Sequence, residues 1–174
     1  RQRAWSEAAG VVNRVAHYRG LGKDQEVETR LDLSMARALR FEAGQKNRDQ
    51  AVALLESRMT HLVRHGVESP YIFRVAWTWC ETVFEEQQGD DLEKLEKSCA
   101  SLEAQAQDPL VKALLNFYRL LAHGVGRRAN VYEEMTALQT HLDGEIPGSR
   151  DQRFLSSIVL QSRANRLWQE KSPP

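Results

Sequence analysis

The chain has 174 residues, 41% hydrophobic and 28% charged, with 24 basic and 24 acidic side chains and so no formal net charge. That length and composition suit one globular domain with a continuous core, and exclude a disordered or disulfide-stapled chain. The zero balance excludes a global field drawing the chain to nucleic acid or an anionic membrane, and no apolar run approaches the roughly 18 residues of a membrane span.

The charge is nevertheless segregated. Residues 1–66 carry 12 basic and 8 acidic side chains, residues 67–109 carry 3 and 10, and residues 110–174 carry 9 and 6. Only two cysteines are present, Cys80 and Cys99, each on the apolar side of a predicted helix, which fits core thiols in a reducing compartment. No signal peptide is visible, so a cytoplasmic location is expected. The start at Arg1 without methionine points to a domain cut from a longer protein.

Eight helices are predicted. The first runs from about Arg3 to Tyr18, with Trp5, Ala8, Val12 and Val15 on one face, and stops near Gly20 and Gly22. Asp24 caps the second, whose stripe is Val27, Leu31, Ala38 and Phe41 and whose stop is Gly44. Asn47 caps the third, which carries Leu55, Met59 and Leu62 to Gly66. Ser69-Pro70 opens the fourth, because proline at the first helical position loses no hydrogen bond. This helix, Tyr71 to about Gln88, has two apolar stripes, Ile72/Val75/Ala76/Trp79/Val83 and Phe73/Trp77/Cys80/Phe84. Apolar on most of its circumference, it is expected at the centre of the domain.

Asp90 or Asp91 opens the fifth helix, with Leu92, Leu95, Cys99 and Leu102 inward. Asp108-Pro109 repeats the device of Ser69-Pro70 for the sixth, which brings Leu110, Val111, Leu114, Leu115, Phe117, Tyr118 and Leu121. The seventh carries Val131, Met135, Leu138 and Leu142 before Gly144. After Pro147, Ser149 caps an eighth with Phe154, Leu155, Ile158, Val159 and Trp168. No segment alternates with period two for long enough to be a strand.

Pro70, Pro109 and Pro147 recur at intervals of 39 and 38 residues, with Gly89-Asp90 and Gly126-Arg127 between them. Such a period marks a helical repeat whose hairpins bury their apolar faces on one another. The order Gly-Asp, helix, Asp-Pro, helix over residues 89–121 resembles the tetratricopeptide repeat family. Leu55/Met59/Leu62, Leu95/Cys99/Leu102 and Val131/Met135/Leu138 share that family's four-then-three packing spacing, each followed by one of the three prolines. In the first helix of the unit, Ala76/Trp79/Cys80/Val83 matches likewise. The interval here exceeds the family's roughly 34 residues and implies helices about one turn longer. The resemblance covers residues 44–168. It implies an all-α fold of antiparallel helical hairpins stacked as a short right-handed solenoid of about eight helices, forming one domain over residues 1–174, and a protein-binding scaffold or regulatory role.

The polar stripe of the fourth helix is Arg74, Thr78, Glu81 and Glu85, and 38 residues later the sixth has Lys112, Asn116, Arg119 and His123. If these are successive first helices, the resemblance places both stripes in the concave groove. Arg74, Thr78, Glu81, Lys112, Asn116, Arg119 and His123 are therefore the expected binding residues for a peptide or helix of another protein. Two other readings stand beside this one. A small-molecule sensor would have a pocket between the fourth and sixth helices, lined by Phe73, Trp77, Phe117 or Tyr118. Self-assembly would stack the terminal helices, with Trp5 and Trp168, on another copy.

Nothing specifies a reaction, a cofactor or a metal. His61 and His65 have the spacing of a metal pair, but Leu62 stands where a glutamate would follow and no third ligand is evident. Asp90-Asp91-Leu92-Glu93 is similar to the aspartate-rich magnesium motif of helical prenyl-transferring enzymes, yet the required second carboxylate position is Lys94. The most basic region is Arg127-Arg128 with Arg150, Arg153, Arg163 and Arg166, without the broad basic face and stacking aromatics of a nucleic-acid reader.

Overall fold

The computed structural model describes residues 25–41, 45–64, 71–85, 89–125, 130–144 and 148–171. Among them there are seven α-helices and no strand: α1 (Gln25–Phe41), α2 (Gln45–Arg64), α3 (Ile72–Glu85), α4 (Gly89–Gln105), α5 (Pro109–Val125), α6 (Val131–Gly144) and α7 (Arg150–Lys171). These correspond to the second through eighth helices of the sequence reading. The first predicted helix with Trp5, the cap at Asp24, the stop at Gly44, His65, Gly66, Ser69-Pro70, Arg127-Arg128, Pro147 and the Trp168 side chain lie outside the described residues.

The chain divides into two compact units, Arg1–Gln87 and Gln88–Pro174. In the first, α2 lies against both α1 and α3, and α1 also touches α3. The core is Leu33, Ala36 and Leu39 from α1, Leu55, Met59 and Leu62 from α2, and Phe73, Val75, Ala76, Trp79 and Cys80 from α3. Arg74 is the one exposed side chain between Tyr71 and Phe84, as expected of a helix covered on more than one side.

One stripe differs from its expectation. Val27 is 50% exposed and Leu31 only half-buried, while α1 turns Thr29 and Asp32 inward, both at 2% exposure or less. The physical reason is on α2. Arg58 Nε donates to Asp32 Oδ2 at 2.6 Å and Nη2 to Glu28 Oε2 at 3.3 Å, so a buried carboxylate is neutralised in place. Asn47 also stands inside α2, which begins at Gln45, two residues earlier than the predicted cap.

In the second unit, α5 lies against α4, α6 and α7, and α6 against α7. The core is Leu95, Cys99 and Leu102 from α4, Val111, Leu114, Leu115, Phe117 and Tyr118 from α5, Met135, Leu138 and Leu142 from α6, and Leu155 and Val159 from α7. Phe117 and Tyr118 are edge to face at 5.4 Å between ring centroids. Of the three helix starts predicted in this unit, α4 begins at Gly89, so Asp90 and Asp91 stand inside its first turn rather than ahead of it, while the caps at Asp108 and Ser149 form. Asp108 Oδ1 accepts from the amides of Leu110 at 2.8 Å and Val111 at 3.2 Å, and Ser149 Oγ from the amide of Gln152 at 3.0 Å. These caps fix where α5 and α7 start, and so which residues face outward.

Candidate functional site

Because Asp108 and Pro109 set the start of α5, Lys112, Asn116, Arg119 and His123 fall on one face at spacings of four, three and four. Lys112 is exposed and the other three are half-buried. They do not form an open row. Arg119 Nη2 donates to Asn116 Oδ1 at 2.8 Å, and Arg119 Nε stands 3.5 Å from Glu103 Oε2 of α4, an electrostatic pairing too long for a good hydrogen bond. His123 Nε2 is 2.8 Å from Glu96 Oε1, also on α4. The C-terminal part of the stripe is therefore a polar seam between α4 and α5.

The stripe on α3 is organised likewise. Arg74 is exposed, but the Thr78 side chain, expected to face a ligand, is buried at 2% exposure. Glu81 Oε2 accepts from Arg40 Nη1 of α1 at 2.9 Å, an interhelical ion pair with side chains 18% and 34% exposed. In each unit a neighbouring helix thus neutralises the later part of the stripe. The exposed remainder is one cation on each helix, Arg74 and Lys112, at matched positions of the repeat, and neither makes an ion pair with a described residue.

The aromatic residues considered for a small-molecule pocket divide by burial. Phe73, Phe117 and Tyr118 are core, and Trp77 is half-buried. Cys80 and Cys99 are free, buried thiols. Among the described residues there is no group of three or more histidine, cysteine or acidic side chains able to hold a metal, and no helix long and apolar enough to cross a membrane.

Sequence reasoning missed three polar arrangements. One is the Arg58–Asp32–Glu28 cluster. Another is the α4–α5 seam. The third joins α6 to α7: Gln139 Nε2 donates to Asp143 Oδ2 at 2.8 Å and to Ser156 Oγ at 2.5 Å, and Ser156 Oγ donates to Asp143 Oδ1 at 3.0 Å. Gln152 Nε2 adds a buried bond to the Leu142 carbonyl at 2.8 Å. Each depends on a contact between different helices, 16 or more residues apart in sequence, which helical spacing within one helix does not reveal.

No protein-family model, curated protein or solved structure significantly matches the chain.

Proposed function

We propose that this chain is a cytoplasmic protein-interaction scaffold or regulatory domain, a short right-handed solenoid of helical hairpins that binds a peptide or helix of a partner protein. The observation that carries this reading is the pair α3 and α5. Each is covered around almost its whole circumference and leaves a single exposed cation, Arg74 or Lys112, at the matched repeat position. Such isolated charges on rigid helices suit recognition of partner carboxylates, where they contribute orientation and association rate more than raw affinity. The hairpin arrangement is supported within each unit, since helices one apart touch as well as neighbours, α1 with α3 and α5 with α7. Among the described residues, no convergent set of nucleophile, base and oxyanion donors argues for an enzyme.

Within its own unit each exposed cation is then flanked by the rest of its stripe, Glu81 beside Arg74 and Asn116, Arg119 and His123 along from Lys112, with Glu81, Arg119 and His123 held by neighbouring helices and Asn116 by Arg119. This changes the choice of test. Arg119→Glu sets a new carboxylate against Glu103 and removes the bond to Asn116, so it lowers stability by about 1 kcal/mol as well as any binding. Arg74→Glu/Lys112→Glu touches no described ion pair and leaves the melting temperature within about 2 °C. Affinity capture from native extract with the intact chain and this double variant decides the matter. A protein retained by the first and lost by the folded second supports the reading. Identical retained proteins would overturn the assignment of Arg74 and Lys112.

A further inference from the structure

The last helix is not covered as α3 and α5 are. Half of the residues from 150 to 165 are exposed, and at about 100° per residue they share one side of α7. That side carries two of the three large hydrophobic residues found exposed among the described residues, Phe154 at 46% and Leu160 at 50%, with half-buried Ile158 at its edge. It also carries exposed Arg150 and Arg153, while the one carboxylate in residues 150–165, Asp151, is half-buried. Both arginines stand in the first turn, where the helix's own partial charge is already positive and cations disfavour the fold. Arg153 Nη1 is anchored there by the Gly148 carbonyl at 2.9 Å. Locally unfavourable charge beside exposed apolar anchors is a pattern that a binding role explains and folding alone does not.

We propose that the outer side of α7 is a docking surface for an amphipathic helix of a partner protein whose apolar stripe is flanked by aspartate and glutamate. Phe154 and Leu160 are the apolar anchors, and Arg150 and Arg153 pair with the flanking carboxylates through charge-assisted hydrogen bonds. A second copy of the chain is a poorer occupant. The exposed side of α1 offers Val27 but presents Arg30 and Arg37 beside Glu26, so cations would meet cations. This surface includes neither Arg74 nor Lys112 and stands or falls independently of the function proposed above.

The test uses the whole 174-residue chain and two fluorescent synthetic peptides of about 18 residues, long enough for five helical turns. Both place leucine at helical spacing, one with glutamate and the other with lysine at the flanking positions. Fluorescence anisotropy at low salt should show saturable binding of the glutamate peptide, with the lysine peptide at least about tenfold weaker. Phe154→Ser/Leu160→Ser and Arg150→Gln/Arg153→Gln should each weaken the glutamate peptide by about tenfold, with the helical circular dichroism retained. Equal affinity for the two peptides, or variants that bind like the parent, overturns the proposal. Light scattering that shows a dimer dissolved by Phe154→Ser/Leu160→Ser assigns the surface to a second copy and also overturns it. So does a uridine oligonucleotide that binds more tightly than the glutamate peptide and is lost in the arginine variant.

Discussion

Arg58 decides which face of α1 points inward. Its guanidinium reaches Asp32 and Glu28, and both it and Asp32 are largely withdrawn from water, at 12% and 3% side-chain exposure. Removing one partner of such a pair strands a charge, so Arg58→Ala should cost about 3 kcal/mol in urea unfolding. Replacing both by apolar residues, Arg58→Met/Asp32→Leu, should recover most of that loss, because apolar packing substitutes for a buried ion pair at little net cost. A double variant as unstable as the single would mean that the pair's geometry, not its charge balance, holds α1 on α2. This cluster also shows where sequence reading stopped. Periodicity follows apolar residues, so it chose Val27 and Leu31 for the inner face and could not see that a cation 26 residues beyond Asp32 makes the polar face the buried one. Asn130 is a second single-residue determinant. It holds φ at 83°, a left-handed conformation that asparagine tolerates and a β-branched residue does not. Asn130→Val should therefore destabilise by about 1–2 kcal/mol in the same assay, and Asn130→Gly should not.

Single helices were more legible than their contacts, because their ends are written in local chemistry. The Asp108-Pro109 pair predicts both the cap and the first helical residue of α5, and both are found, with two backbone amides on Asp108 Oδ1. Asp108→Ala should cost about 1 kcal/mol and lower the melting temperature by about 2–4 °C. An unchanged melt would show that the proline alone fixes the start of α5. The packing stripes of α4 and α6 were nearly as readable, since Leu95, Cys99, Leu102, Val131, Met135, Leu138 and Leu142 are all buried and only Leu92, at the start of the α4 stripe, is half-buried. Lys112 was placed correctly at the surface, whereas Arg119 and His123 shared its stripe but were drawn into the α4 seam by Glu103 and Glu96. Helical spacing states which residues share a face, and it leaves open how far that face is overlapped by the next helix. Lys97 shows the opposite case of a pair that changes little. The hydrogen bond and charge of Glu93 hold its ammonium above the ordinary 10.5, so what it contributes is intact below 10.5 and fades only as alkaline pH passes the raised value. Lys97→Met should leave the melt at neutral pH nearly unchanged.

At the scale of the molecule, each compact unit has the internal contacts of a small domain. Gln88–Pro174 brings together core residues from all four of its described helices, Leu95, Leu114, Leu142 and Leu155 among them, each at 1% exposure or less. Polar contacts also tie its helices together, through the α4–α5 seam and the Gln139–Asp143–Ser156 network between α6 and α7, although Arg119 Nε and Gln139 Oε1 are buried without a hydrogen bond. Chains of about 60 residues already fold alone in many cases, and a larger one with a core spanning four helices has more apolar burial to set against its chain entropy. Residues 88–174 expressed alone should therefore retain helical circular dichroism and unfold in one cooperative urea transition. Its m-value should be about half that of the whole chain, because m follows the surface exposed on unfolding. A gradual, non-cooperative loss of signal would show instead that this unit needs residues 1–87 to complete its core. The distinction bears on function, because Lys112 and the exposed side of α7 both belong to residues 88–174. A fragment that folds alone and still binds the glutamate peptide would place that recognition wholly within the second unit.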